Sequence, residues 1–496
     1  LQKGSSSWWN ERMNKPTPSY SLSFLGLAMA LMASACLAQK KPNVLFVFAD
    51  DQCYETVGAL GLTDIETPHL DRLMSQGTSF NRTYNMGSWS GAVCVASRHM
   101  LNTGRFIWKA EAASKKAEDE RKAGRFWSEN MKSAGYKTYF TGKWHVRAKA
   151  EDCFDVATMV RGGMPNQTPE GYNRPLPDGT DPWSPYDPKF EGFWQGGKHW
   201  SEVVADEALG FFSQAKTHAQ EKPFFAYVAF NAPHDPRQAP KSFIDRYPLE
   251  RIKIPPNFLP KYPYCDEIKC PHNLRDEKLA PMPRTKHAIK VHRQEYYAII
   301  THMDEQIGRI LDGLEKSGLD KNTYIIYSAD HGLGVGQHGL LGKQNLYEHS
   351  TRVPFIITGP DIPKGKTIEA PIYLQDAMAT SLALAGMPKP QHVDFHNILP
   401  LAKGETEKSP YRDIYGAYLD AQRSITRGNL KLLAYPGVPL LRVYDLKKDP
   451  FEMRDLAKTK RGQKVIGLLF PELLKLQKQM NDELDLLEAF PEFRPG

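Results

Sequence analysis

The stretch Asn43-Val-Leu-Phe-Val-Phe-Ala-Asp50-Asp51 decides the fold. No polar residue interrupts it between Val44 and Ala49. A run this apolar reads as a strand buried on both faces, the situation of a parallel sheet with helices on either side. Pro223-Phe-Phe-Ala-Tyr-Val-Ala-Phe230 and Thr323-Tyr-Ile-Ile-Tyr-Ser-Ala329 repeat the pattern, and Val353-Pro-Phe-Ile-Ile-Thr358 is a fourth such run. Tyr136 to Thr141 is a further strand, and Phe80 opens a short one. Amphipathic stretches lie between the runs. Pro68 to Gly77 has Pro in a first-turn position and Gly as a stop. Phe126 to Gly135, Ser201 to Ala215, Glu295 to Ser317 and Asp376 to Ala385 are also read as helices, and another begins near Ser97. The alternation predicts an α/β fold, with a large, mixed but mostly parallel sheet sandwiched by helices.

The 496 residues are long enough for one large core plus a smaller second one, since single cores rarely grow past about 300 residues. Composition shifts near residue 400, after which Ile414 to Tyr418, Gln422 to Arg427, Asn429 to Ala434 and Leu441 to Tyr444 read as short antiparallel strands. Gly462 to Leu487 reads as helix. The expected division is a catalytic domain over 39–400 and a smaller C-terminal α+β domain over 401–496. Residues 151–200 and 235–288 show neither period and are expected to be irregular.

Residues 1–38 do not read as fold. Lys15 precedes the apolar run Ser21 to Ala35, the layout of an export signal, with Met13 as the start and residues 1–12 an extension ahead of it. Ala33-Ser-Ala-Cys36 has the shape of a lipoprotein cleavage site, which would anchor the chain by a lipid on Cys36. Cleavage after Ala38 would instead secrete it freely. An exported protein is expected, in the periplasm, on the outer membrane or outside the cell. Hydrophobic residues make up 41% and charged residues 24%, so the chain is neither fibrous nor mainly disordered. The net charge of +7 is too diffuse to argue for nucleic acid. Cys265 and Cys270 read as a disulfide closing a tight loop, with two unrelated thiols as the alternative.

Carboxylates collect where buried strands end. Asp50-Asp51 closes one run, Asp330-His331 another, and Asn231-Ala-Pro-His234-Asp235 a third. Open α/β sheets bind ligands beyond the carboxyl ends of their strands. Three carboxylates in one crevice repel one another unless a cation joins them, and oxygen-rich donors suit Ca²⁺ or Mg²⁺. Asp after a strand is also a common helix cap, which explains one such pair more easily than two. Lys143, His145, His234 and Lys343 add positive or proton-carrying groups, suited to an anionic substrate.

Cys94-Val-Ala-Ser-Arg98, followed by Leu101-Asn-Thr-Gly-Arg105, resembles the Cys-x-Pro-x-Arg signature of the type I, formylglycine-dependent sulfatases, with Ala96 in place of the commoner Pro. The resemblance extends through Asn43 to Gln52, Thr67-Pro-His-Leu-Asp-Arg-Leu73, Thr141-Gly-Lys-Trp-His145, Ser328-Ala-Asp-His-Gly332, Gly342-Lys343, Tyr347 to Pro354 and Tyr444 to Pro450. It implies an alkaline phosphatase-like fold and hydrolysis of sulfate esters. It further implies that a formylglycine-generating or anaerobic sulfatase-maturating enzyme oxidises Cys94 to formylglycine, whose hydrate attacks sulfur. Asp50, Asp51, Asp330, His331 and the group derived from Cys94 would hold Ca²⁺, with His331 where relatives often have Asn. Arg98 would stabilise the formylglycine, Lys143 and Lys343 would bind sulfate oxygens, His145 would serve the diol, and His234 would protonate the leaving alcohol. The aromatic and basic residues of 151–200 suit an anionic saccharide, and export points to an algal polysaccharide such as carrageenan or ulvan. Glycosaminoglycans, aryl sulfates, a phosphoesterase of the same superfamily and an inactive carbohydrate-binding protein are the alternatives.

Overall fold

The computed structural model describes residues 40–219 and 221–494. The expected export signal and Cys36 lie outside the described residues. No described helix is long and apolar enough to cross a membrane. Pro42–Gly496 forms one compact unit.

The central sheet contains β1 (Asn43–Ala49), β2 (Thr78–Phe80), β4 (Lys137–Lys143), β5 (Val156–Arg161), β6 (Phe224–Ala229), β7 (Thr323–Ala329), β8 (Phe355–Thr358) and β9 (Lys366–Ile368). Label β3 belongs to Gly87–Ser88, in another sheet. The central order is β9-β2-β8-β7-β1-β6-β4-β5. β7, β1, β6, β4 and β5 run parallel, whereas β8 is antiparallel to both β7 and β2. The run from Val353 to Thr358 is divided at Pro354. Val353 pairs in a small three-stranded sheet, and only Phe355–Thr358 joins the large one, because proline cannot donate to a ladder. Phe80 ends its short strand rather than opening it.

Helices α1 (Pro68–Gln76), α4 (Trp200–His218) and α5 (Lys286–Ser317) pack together, and α2 (Val93–Thr103), α3 (Trp127–Ser133) and α6 (Asp376–Leu384) form a second group. These are the helical layers the apolar strands require. α5 begins nine residues before the expected Glu295. Thr285 caps it, its Oγ1 accepting from the Ala288 amide at 3.0 Å. Trp127 joins a helix to the sheet. It is fully buried against Phe225 (centroids 4.8 Å) and Phe46 (5.0 Å), and its Nε1 donates to Ser381 Oγ at 2.6 Å. Trp127→Ala is expected to destabilise the protein by about 3–5 kcal/mol, read from the shift of a urea unfolding transition.

The smaller sheet is built from β10 (Ile414–Tyr418), β11 (Gln422–Arg427), β12 (Leu430–Tyr435) and β13 (Leu440–Asp445), with α7 (Lys460–Met480) against it. Its edge is completed by β3, which pairs parallel with β10 and comes from the chain just before Cys94. α7 ends at Asn481, in the left-handed region at φ 59°, earlier than the expected Leu487.

Two expectations are corrected. Residues 151–200 are not wholly irregular, since β5 adds an edge strand to the central sheet. Cys265 and Cys270 are not bridged. Cys265 Sγ donates to Tyr262 O at 3.1 Å and Cys270 Sγ to Gln344 O at 2.6 Å, so each thiol is turned toward a different carbonyl.

Candidate active site

Four adjacent parallel strands, β7, β1, β6 and β4, deliver polar residues to one edge of the sheet. Asp330-His331 follows β7, Asp50-Asp51 follows β1, His234 lies five residues beyond β6, and Lys143 ends β4. Gly142 is required there. Its φ is +94°, and a Cβ would come within 1.8 Å of Ala229 O. The next functional residue, His145, also holds left-handed backbone (φ 53°), as does Asp51 (φ 71°). Non-glycine residues in that region store about 1–3 kcal/mol each, and such strain clusters where function over-determines the backbone.

Cys94 approaches this edge from the first turn of α2. The helix starts at Val93, earlier than the expected Ser97, so the positive end of its dipole faces the carboxylates. Arg98, one turn further on, is fully buried and ties three strand ends together. Its Nε donates to Asp330 Oδ2 at 3.1 Å, Nη1 to Lys143 O at 2.7 Å, and Nη2 reaches Asp50 Oδ1 at 3.5 Å. Lys143 Nζ pairs with the other Asp50 oxygen. Lys343 Nζ lies 2.8 Å from Asp51 Oδ2, 2.9 Å from His234 Nε2 and 3.7 Å from Cys94 Sγ.

Burial and the neighbouring Asp330 push the Asp50 carboxyl up from its ordinary range. Burial would raise the Cys94 thiol too, but Lys143 and Lys343 outweigh it and hold the group well below a free thiol. Burial disfavours a charged His234, yet Asp51 and Asp235 lift it to about 10. The 2.9 Å approach of Lys343 Nζ to His234 Nε2 requires that only one of them donate.

Donor atoms of Asp50, Asp51, Cys94 and His331 all lie within 4.8 Å of one another, and all four residues are buried. His331 Nε2 is buried without a hydrogen-bond partner and stands 3.2 Å from Asp51 Oδ1. Asp330 braces the group: its Oδ1 accepts from the Asp51 and His331 amides, both at 3.0 Å. Two carboxylates, an orphaned imidazole nitrogen and position 94, which would offer oxygen in place of sulfur as formylglycine, form a donor set that fits a hard divalent cation.

The cavity above Cys94 has a volume of about 360 Å³. His145, His234 and Lys343 line it, together with Gly163, Met164, Leu274, Arg275, Asp276 and Gln344. The last three carry no sequence signal. Arg275 pairs with Asp276, and Gln344 Nε2 donates to Asp276 Oδ2 at 2.6 Å. Asp235 was placed by sequence only as part of a strand end. Its carboxylate meets His234 Nδ1 at 3.0 Å and fixes the ring so that Nε2 faces Lys343 and Cys94's side of the cavity. Tyr296, on α5, donates to Asp51 O at 2.6 Å and accepts from the Cys53 amide at 2.9 Å, pinning the turn after β1.

The aromatic residues of 151–200 mostly face inward. Trp183, Phe190, Phe193 and Trp200 are buried, and Arg161 stacks on Trp200 at 3.7 Å. Arg174 is buried in ion pairs with Asp181 and Glu295. These side chains pin the segment to the body, and among its aromatics only Tyr186 is well exposed.

A parallel α/β sheet that brings carboxylates, two lysines and a helix-borne cysteine to one edge defines a hydrolase of the alkaline phosphatase-like superfamily. The sulfatase family model matches residues 42–387, and the chain belongs to that family. The model described as N-sulphoglucosamine sulphohydrolase, C-terminal, matches residues 336–479. A sulfatase of Formosa agariphila is 30% identical over 372 residues, covering 70% of each chain. The N-acetylglucosamine-6-O-sulfatase of Bacteroides thetaiotaomicron is 26% identical over 544 residues, covering 92% of this chain and 91% of that one. BT4656, solved with its substrate D-glucosamine-2-N,6-O-disulfate, superposes with a TM-score of 0.69 at 23% identity, covering 90% of this chain and 99% of that one. The protein is a sulfuric ester hydrolase.

Proposed function

We propose that the substrate is a 6-O-sulfated N-acetylglucosamine, alone or within an oligosaccharide, rather than the algal polysaccharide expected from the sequence. The observation that carries the reaction is the convergence of Lys343, His234 and His145 around Cys94 in a cavity of about 360 Å³, with Lys143 behind them close enough to draw the thiol down. That volume is at the small end for ligand sites, about 300–1,000 Å³, and suits a sugar unit rather than a long stretch of polymer. The likeness to the Bacteroides N-acetylglucosamine-6-O-sulfatase over nearly the full length of both chains supports the sugar. The likeness to an ulvan-active sulfatase of Formosa agariphila covers 73% of this chain and 65% of that one.

The residues divide the work by position. Lys143 and Lys343 carry positive charge to where sulfate oxygens would lie, so charge developing during transfer meets fixed counter-charge without reorganisation. Asp235 holds His234 Nδ1 and so turns Nε2 to the cavity wall, where the departing alcohol oxygen would need a proton. His145 lines the same cavity beside Cys94, where it would accept a proton from the diol. Arg98 holds the strand ends so that Asp50 and Asp330 keep their spacing. Asp50, Asp51, Asp330 and His331, with the oxygen derived from Cys94, would hold Ca²⁺, which would supply polarisation of a sulfate oxygen. Formylglycine at position 94 supplies, as its hydrate, an attacking hydroxyl and a second hydroxyl through which sulfate is released. The chain is expected to act after export.

Matched sulfate and phosphate monoesters test the reaction class. Inorganic sulfate release from N-acetylglucosamine 6-sulfate is expected to exceed phosphate release from the 6-phosphate by at least ~100-fold in kcat/KM. A preference for phosphate would assign the site to phosphoester chemistry.

A further inference from the structure

A second cavity, about 520 Å³, opens beside the catalytic one. Their linings have no residue in common, but they meet along one short stretch of chain. Gly91 and Ala92 line the catalytic cavity, and Trp89, two residues earlier, lines the second. Two residues of chain span at most about 7 Å, so the cavities are neighbours. The shared segment is fixed at both ends. β3 pairs with β10 just before Trp89, and Gly91 O accepts from Gln344 Nε2 at 3.0 Å just after it.

Two tryptophans face this space. Trp89 and Trp108 are both half-buried, and both line the cavity. Trp108 is held rigidly. Its Nε1 donates to Tyr415 OH at 3.3 Å, and its ring lies 5.0 Å from the Arg423 guanidinium carbon. Rigid amphipathic rings beside polar groups offer contact area at little entropic loss. The opposite wall comes from the β10–β11 turn, Leu419-Asp420, and from Asn481–Leu484 after α7.

The charge of this lining differs from that of its neighbour. Its carboxylates are Glu111, Asp420, Asp482 and Glu483, and its cations are Lys115 and Arg423. Arg423 is committed to Asp482, with Nη2 at 2.8 Å from Oδ1, and Lys115 to Glu111 at 3.2 Å. Lys269 reaches Asp420 from outside the lining. The balance stays negative, whereas the catalytic cavity presents Lys343 and Arg275 against Asp276. A sulfated or carboxylated ring is therefore repelled here, and an uncharged ring is not. Aromatic faces with flanking carboxylates accept the C–H faces and hydroxyls of a neutral sugar.

We propose that this cavity is a second saccharide subsite, holding an uncharged sugar ring attached to the sulfated one. The proposal rests on the reading of the substrate as a saccharide.

The test compares kcat/KM for p-nitrophenyl sulfate, for N-acetylglucosamine 6-sulfate, and for two tetrasaccharides carrying that sugar. In one tetrasaccharide the neighbouring sugar is galactose, and in the other it is a uronic acid. Trp108→Ala is expected to lower kcat/KM on the galactose tetrasaccharide about five- to tenfold while leaving the monosaccharide and the aryl sulfate within about twofold. Trp108→Phe, which keeps an aromatic face, is expected to recover most of the loss. The unaltered enzyme is expected to favour the galactose tetrasaccharide over the uronate one by at least ~5-fold. Equal losses on all substrates, or none on the tetrasaccharide, would overturn the subsite. Equal rates on the two tetrasaccharides would overturn its preference for an uncharged ring. Turnover of the aryl sulfate alone, with no saccharide desulfated, would instead remove the saccharide reading and this proposal with it.

Discussion

Cys94→Ala is expected to abolish sulfate release, lowering kcat by at least ~10⁴-fold on both saccharide and aryl sulfates. Loss of a nucleophile costs this much when the remaining site can only bind and polarise. The position leaves no substitute. Sγ is buried, lies 3.7 Å from Lys343 Nζ, and belongs to the group whose donor atoms share one 4.8 Å neighbourhood with Asp50, Asp51 and His331. The methyl group of alanine fits where the thiol is, so folding should survive. An unfolding transition matched to that of the unaltered protein separates lost chemistry from lost structure. Mass spectrometry of the peptide carrying residue 94 gives an independent readout. Conversion of the thiol to the aldehyde lowers the peptide mass by about 18 Da, outside the usual ladder of thiol oxidation. A peptide of unshifted mass from fully active enzyme would remove formylglycine from the account. An unshifted peptide from inactive enzyme would point to a carbohydrate-binding role.

The strand ends of this site were legible because their signal is local. The apolar run from Val44 to Ala49 reads as a doubly covered strand, and Asp50-Asp51 then emerges at its carboxyl end. The same holds for Thr323 to Ala329 and Asp330-His331. β1, β6 and β7 follow from such runs, whereas the edge strands β5 and β9 do not. Residues gathered from irregular chain are different. Arg275 and Asp276 come from a stretch without periodicity, and Gln344 meets Asp276 across 68 residues of sequence. Their convergence is tertiary and leaves no spacing to read. Composition misleads for a related reason in 151–200. An aromatic ring that stacks on a sugar and one that packs into the body look alike in sequence, and Phe193 and Trp200 are of the second kind. Ala92 misplaces the start of α2, since it offers no capping oxygen to announce the helix that carries Cys94. Cys265 and Cys270 have a spacing that permits a bridge, but the carbonyls of Tyr262 and Gln344 claim the thiols separately.

His234→Ala is expected to separate substrates by their leaving groups. On a sugar sulfate the departing alkoxide is strongly basic, and a positioned acid contributes about 10²–10⁴-fold. That full factor should be lost from kcat on N-acetylglucosamine 6-sulfate. On p-nitrophenyl sulfate the phenolate leaves without a proton, and the loss should stay within about tenfold. The geometry favours this division. Asp235 and its own backbone carbonyl hold Nδ1 at 3.0 and 2.8 Å, which leaves Nε2 as the only ring nitrogen turned to the cavity. Lys343 lies 2.9 Å from that nitrogen and can return a proton to it between turnovers, so His234 and Lys343 act at one point rather than two. Lys343 also contacts Asp51 and approaches Cys94, so its replacement should reduce both substrates together. Plotting log kcat against leaving-group pKa for a series of sulfate esters makes the contrast quantitative. The His234→Ala line should steepen relative to the unaltered enzyme, and a parallel line would assign proton donation to another group.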